Sequence, residues 1–245
     1  MTTALILDQI TKRFGGLAAL HDVTMQIASG EITGLIGPNG AGKTTLFNII
    51  AGKTRPTVGR VLCLGHDITG WSAHAVCRLG VCTTHQVVRP FTDLTVLENV
   101  RVGASFGASG RLGGRTAEEE ALEILTFVGL AQRRDSLASS LTLAHRKRLE
   151  IARALATRPS VLLLDEVLAG LTPAEIQQAA ELVRQIRARG ITIVMIEHVM
   201  RAVMDLSDRV LVLNYGRLIA DGSPAVVAND PQVIEAYLGE KISEN

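Results

Sequence analysis

Gly37, Pro38, Asn39, Gly40, Ala41, Gly42, Lys43 and Thr44 fit the pattern G-x-x-x-x-G-K-[ST]. Glycines at these positions let successive backbone N–H groups curl around phosphate oxygens. A helix opening at the lysine adds partial positive charge, Lys43 reaches the β- and γ-phosphates, and the Thr44 hydroxyl can ligate Mg²⁺. A second segment runs Val161, Leu162, Leu163, Leu164 and then Asp165 and Glu166. A buried strand that delivers Asp165 at its carboxyl end can hold Mg²⁺ through water, and Glu166 can orient or deprotonate an attacking water. On its own such a run is more often an ordinary strand edge; with a phosphate loop upstream the functional reading takes over. Gln86 and His198 follow the β-rich runs 81–84 and 191–196, so each sits where open α/β sheets collect their ligands. Phosphate loop, Gln86, acid pair and His198, in that order, are the parts of a nucleoside triphosphatase.

The elements that must position these residues can be read from periodicity. Residues 4–10, 23–27 and 31–36 are β-rich runs broken by turn residues, and Leu46, Ile49 and Ile50 then fall at helical spacing before Gly52. Strand, glycine loop and helix therefore follow one another, as the loop requires. The middle third, 92–157, reads as largely helical. Thr116 with Glu119 forms a capping box ahead of Ala121, Leu122, Leu125 and Val128, and a second helix spans 143–157, with Leu149, Ala152 and Leu155 on its buried face. Arg146, Lys147, Arg148 and Arg153 are assigned to the other, solvated or interface face, and Pro159 forces a stop. Thr172, Pro173 and Glu175 make a complete helix start between the buried runs 161–164 and 191–196, which predicts a βαβ unit in a parallel sheet. Residues 210–213 and 218–220 flank a turn at Asn214, Tyr215 and Gly216 and read as a hairpin.

Composition bounds the rest. The chain has 245 residues, 47% of them apolar, with a formal net charge of +1, which argues against disorder and gives no electrostatic case for a nucleic-acid partner. Three cysteines, Cys63, Cys77 and Cys82, do not make a disulfide scaffold, and with no leader-like segment at the start they point to a reducing cytoplasm. His66, His74 and His85 show no metal-ligand spacing with them. No apolar run is long enough to span a bilayer.

With these motifs in place, the chain resembles the ATP-binding subunit of an ABC transporter over essentially its whole length. It is most similar to the importer family for branched-chain and related hydrophobic amino acids. The likeness rests on Arg13-Phe14-Gly15-Gly16-Leu17, Leu94-Thr95-Val96-Leu97-Glu98-Asn99-Val100 and Leu149-Glu150-Ile151-Ala152-Arg153-Ala154-Leu155. It also rests on Ala169-Gly170-Leu171-Thr172-Pro173, Glu197-His198 and the tail from Asp230-Pro231 to Tyr237-Leu238-Gly239. The resemblance implies one cassette: a P-loop α/β core with an antiparallel β part at 1–91 and 158–245, interrupted by a helical subdomain at 92–157. It implies MgATP as cofactor, held by the phosphate loop through Thr45 and by Phe14 as an adenine platform. Thr44, Gln86 and Asp165 would bind the metal, Glu166 would be the general base, and His198 would contact the γ-phosphate. It further implies a second ATPase subunit in a homo- or heterodimer, transmembrane permease subunits contacted through the Gln86 loop and the helical insert, an extracytoplasmic solute-binding protein reached indirectly, and a peripheral place on the cytoplasmic face of the inner membrane.

Departures from the family pattern bear on activity. The signature Leu-Ser-x-Gly-Gln aligns with Leu141, Thr142, Leu143, Ala144 and His145. Thr142 keeps a hydroxyl for a γ-phosphate, whereas Ala144 puts a Cβ where glycine allows close backbone approach. In the family each signature serves the phosphate loop of the other chain, so that cost falls on the partner's site. Val167 replaces a proline, and Thr172 stands where relatives carry Asp or Asn. Two alternatives stay open: a weakly hydrolysing nucleotide-gated regulator, and a soluble cassette of DNA repair or translation, although the chain has neither a heptad insert nor a repeat.

Overall fold

The computed structural model describes residues 2–84, 90–106 and 116–238. Two sheets share the work. β1 (Thr3–Phe14), β2 (Leu17–Ala28), β4 (Val58–Cys63) and β5 (His66–Asp67) form an antiparallel sheet in the order β2-β1-β4-β5. The second, mainly parallel sheet has the order β10-β9-β3-β8-β7-β6, from β10 (Arg217–Gly222), β9 (Arg209–Asn214), β3 (Ile32–Ile36), β8 (Thr192–Ile196), β7 (Val161–Asp165) and β6 (Val81–Thr83). Only the β9–β10 hairpin, turning at Tyr215 and Gly216, runs antiparallel within it. β3 and β8 are buried at every position, and β7 at all but its last, as expected for strands covered on both faces.

Helices cover the faces. α1 (Lys43–Ile50) follows β3 and puts Leu46, Phe47, Ile49 and Ile50 into a core shared with Leu20, Val23, Met25 and Ile27 of β2, which joins the two sheets. α2 (Ala73–Leu79) leads into β6. α3 (Val96–Phe106), α4 (Ala117–Phe127) and α5 (Leu143–Ala156) pack on one another between β6 and β7, with two short 3₁₀ turns ahead of α5. The Thr116 capping box is present, with Glu119 Oε2 accepting from the Thr116 N–H at 2.8 Å. α6 (Pro173–Ala188) opens on the capping box of Thr172 and Glu175 and connects β7 to its parallel neighbour β8. α7 (Met200–Leu206), α8 (Pro224–Ala228) and α9 (Pro231–Leu238) complete the described residues.

The strand registers decide what meets at the sheet's carboxyl edge. Ile196 pairs with Leu35 on one side and Asp165 on the other. With strands about 4.8 Å apart, the residues after Ile36, Asp165 and Ile196 must emerge side by side. β1 and β2 run further than periodicity predicts, to Phe14 and from Leu17. At that hairpin tip Thr11, Lys12 and Arg13 lie over no core, so burial does not alternate there although the strands stay paired.

Candidate functional site

The loop leaving β3 is shaped by two glycines that nothing larger can replace. Gly37 has φ 147°, and a Cβ there would lie 2.0 Å from the Leu213 carbonyl oxygen; Gly42 has φ 105°, and its Cβ would meet the Ala19 oxygen at 2.7 Å. Gly42 is also the N-cap of α1, with no side-chain cap and no acidic residue in the first turn. The first-turn amides and the positive end of the helix dipole are thus left for an anion. A cavity of about 280 Å³ opens over this turn, lined by residues from Asn39 to Thr45 together with Ala19, Glu166 and His198.

Lys43 is buried at 7% exposure. Its Nζ donates to the carbonyls of Gly37 at 2.7 Å and Pro38 at 2.9 Å, so the ammonium braces the loop it belongs to. Burial lowers its pKa, and the charges of Glu166 and Asp165 act in the opposite direction. Asp165 is raised above the usual carboxylate range, first by burial and then by the neighbouring Glu166; Lys53, His198 and Lys43 pull it back. Its N–H donates to Thr84 Oγ1 at 3.0 Å, which fixes the end of β7 against β6. The Thr44 hydroxyl and the Glu166 carboxylate line the cavity with Asp165 adjacent in the chain, and such hard oxygen donors suit Mg²⁺.

Glu166 holds an unusual backbone. Its φ is 50°, a left-handed conformation that costs a non-glycine residue about 1–3 kcal/mol and survives only when its surroundings dictate it. Here its N–H donates to the Ile196 carbonyl at 2.9 Å and its own carbonyl accepts from Lys147 Nζ at 2.6 Å. The outcome is a carboxylate aimed into the cavity, with Oε1 3.0 Å from His198 Nε2.

Next to His198, Glu197 is almost completely buried. Its Oε1 accepts from the Leu168 N–H at 2.7 Å, while Oε2 has no hydrogen-bond partner among the described residues. Burial raises its pKa from 4.5 to about 7, opposed by the N–H groups of Leu168 and His198 and by the Lys147 cation, and reinforced by Glu166. An unfolded chain loses this proton near 4.5 but the folded one only near 7, so its contribution to stability falls as pH rises through that window and levels off above it. Glu197→Gln removes the titration. Melting curves of parent and variant should therefore show the variant gaining on the parent by roughly 2–3 kcal/mol between about pH 5 and pH 8. A difference that does not change with pH would contradict this burial.

The predicted site residues fall into two groups. The phosphate loop, Asp165, Glu166 and His198 meet at one edge. The aligned signature does not join them: Thr142 caps α5, with its Oγ1 3.0 Å from His145 Nδ1, Leu143 is exposed, and Ala144 lines a different, small cavity with Lys147 and Val167. Burial, then Arg133 and Arg148, lowers the His145 pKa. Phe14 is 52% exposed at the β1–β2 tip under Lys12 Nζ at 4.8 Å, so it is no core aromatic; Ala19, further along β2, lines the cavity instead. Gln86 lies outside the described residues.

One assignment needs correction. Lys147 does not belong to a solvated face with Arg146 and Arg148, because it is 6% exposed and bound to Glu166. Its spacing four residues before Ile151 on α5 is the signal that marks the buried side. Glu197 is a second residue, quoted in the Glu197-His198 motif but given no role by it; it directly continues the apolar run of β8. The tail also approaches the loop, since Gln232, Glu235 and Ala236 line a cavity together with Pro38, Asn39 and Ala41.

Comparison with known proteins agrees with this geometry. The family model described as "ABC transporter" matches residues 20–169, and that of "Branched-chain amino acid ATP-binding cassette transporter" matches residues 217–242. The high-affinity branched-chain amino acid transport ATP-binding protein LivG of Escherichia coli (strain K12) is 41% identical, over 96% of this chain and 98% of LivG. The crystal structure of MJ1267 in its ADP conformation, an ATP-binding cassette of an ABC transporter, superposes with a TM-score of 0.89 at 33% identity, covering 98% of this chain and all of that one. The dimeric, post-hydrolysis cassette MJ0796 bound to ADP and Pi gives a TM-score of 0.80 at 25% identity, over 90% of this chain and 98% of the other. The chain belongs to the ABC transporter family.

Proposed function

We propose that this chain is the ATP-binding and hydrolysing subunit of an importer for branched-chain amino acids, working on the cytoplasmic face of the membrane as a dimer with a second ATPase subunit. The observation that carries the reading is a site that is complete on one side only. Phosphate loop, base and His198 share one cavity, while Thr142 and Ala144 of the same chain are presented elsewhere. Such a division suits two chains that each supply the other's missing half, and the cassette MJ0796 is dimeric in its post-hydrolysis state with ADP and Pi.

In this mechanism the loop N–H groups and Lys43 hold the β- and γ-phosphates, and Phe14 offers its exposed ring to the base. Thr44, Asp165 and Gln86 would hold Mg²⁺, which when bound neutralises charge on the phosphates. Glu166 takes the proton of the attacking water, and His198, 3.0 Å away, keeps that carboxylate turned toward the γ-phosphate. Closure of the dimer brings a partner signature onto the nucleotide, and the helical segment with the Gln86 loop passes that motion to permease subunits, which a solute-binding protein supplies from outside.

Uptake of labelled leucine by cells lacking the chain tests the reading. Uptake should be lost, should return with the parent gene, and should not return with Glu166→Gln. Unchanged leucine uptake in the deletion, or recovery of the chain with nucleic acid instead of membrane-spanning subunits, would overturn it.

A further inference from the structure

Two buried ionisable side chains tie the signature helix of this chain to the backbone around its own base. Lys147 on α5 and Glu197 at the end of β8 are 6% and 1% exposed. Lys147 Nζ donates to the Glu166 carbonyl at 2.6 Å, and Glu197 Oε1 accepts from the N–H of Leu168, two residues beyond Glu166, at 2.7 Å. Burial lowers the Lys147 pKa, and the charges of Glu197, Glu150 and Glu166, in that order, oppose it. Glu197 keeps its other oxygen without a hydrogen bond among the described residues. Burying two ionisable side chains is a poor way to gain cohesion, since apolar side chains of the same size generally serve as well or better. What the pair touches explains it: the peptide groups before and after the left-handed Glu166 are anchored, one by Ile196 and one by Lys147. That double anchor sets the direction of the Cα–Cβ bond and hence where the carboxylate points.

We propose that Lys147 and Glu197 are positioning residues for hydrolysis, acting through the backbone of Glu166 and the loop to Leu168 to hold the base at the phosphate loop. The proposal rests on the reading of Glu166 as the base. It also gives α5 a second task. The helix that starts at Thr142 carries Lys147 about one and a half turns in, so a shift of the signature moves the anchor of this chain's own base.

Steady-state hydrolysis, fluorescent-ATP binding and melting of the full chain test this. Lys147→Met should lower kcat roughly 10- to 100-fold, the cost of a base misplaced by about an ångström, with ATP affinity within about twofold of the parent. Lys147→Arg, which keeps a cation and a donor, should recover most of that loss. Lys147→Met combined with Glu197→Gln removes both charges and keeps an acceptor for Leu168, so it should melt near the parent yet remain slow. If that double variant regains parental kcat along with its stability, or if Lys147→Met turns over within about twofold of the parent, the proposal fails. Should Lys147→Met not fold, the double variant supplies the same comparison. Glu166→Gln is the control: normal turnover in that variant overturns the base assignment itself, whereas its loss beside normal turnover in Lys147→Met overturns only the positioning role.

Discussion

Glu166→Gln should lose about 10²- to 10⁴-fold in ATP turnover while binding ATP as tightly as the parent, the range that removing a general base costs. The geometry sets this expectation. Gln keeps the size and the hydrogen-bond acceptor facing His198 Nε2 at 3.0 Å, so the cavity wall stays in place and only the capacity to accept a proton disappears. The left-handed backbone at residue 166 is held through its main-chain N–H and carbonyl, by Ile196 and Lys147, so the substitution leaves those two bonds in place. Single-turnover hydrolysis beside equilibrium ATP binding checks the split. Equal losses in both would mean that Glu166 binds nucleotide and does not activate water.

Lys43→Met should behave in the opposite sense and weaken ATP binding by at least about 10- to 100-fold, since a charge-assisted hydrogen bond is worth about 1.5–3 kcal/mol. Met matches the length of the lysine stem and fills the same buried slot. It also removes the two hydrogen bonds that brace the loop, a loss offset in part by removing a cation that burial disfavours, so the melting temperature should change little or fall slightly. Isothermal titration with MgATP, beside a melting curve, separates the two effects. Parental affinity in Lys43→Met would contradict the placement of the phosphates over α1.

The parts of the site that were legible in the sequence are those whose chemistry is local. A phosphate loop needs glycines, a lysine and a hydroxyl contiguous in the chain, and Gly37 and Gly42 show why: the backbone passes so close to Leu213 and Ala19 that a Cβ would collide. β7 and β8 were legible because strands covered on both faces have unbroken apolar runs, and α6 because Thr172, Pro173 and Glu175 form a complete start signal. Lys147 and Glu197 were not, because whether a charged side chain is buried depends on what another element brings to it. Lys147 looks like its neighbours Arg146 and Arg148 until β7 delivers the Glu166 carbonyl. The left-handed turn at Glu166 was hidden for the same reason, since no glycine marks it and only tertiary hydrogen bonds impose it. The tip of β1 and β2 lacks alternation because nothing covers it, so the extent of those strands could be seen only from pairing.

The central claim is that this chain carries one half of each of two shared ATP sites. Sedimentation of the Glu166→Gln protein with and without MgATP tests it most directly, because a site that binds but cannot hydrolyse holds the closed state. The protein should sediment as a monomer without nucleotide and as a dimer of twice that mass with MgATP, and Thr142→Arg, altering the signature face, should abolish the shift without affecting ATP binding to the monomer. A monomer at saturating MgATP, in a protein shown to bind the nucleotide and mixed with the other ATPase subunit of its transporter, would contradict the account.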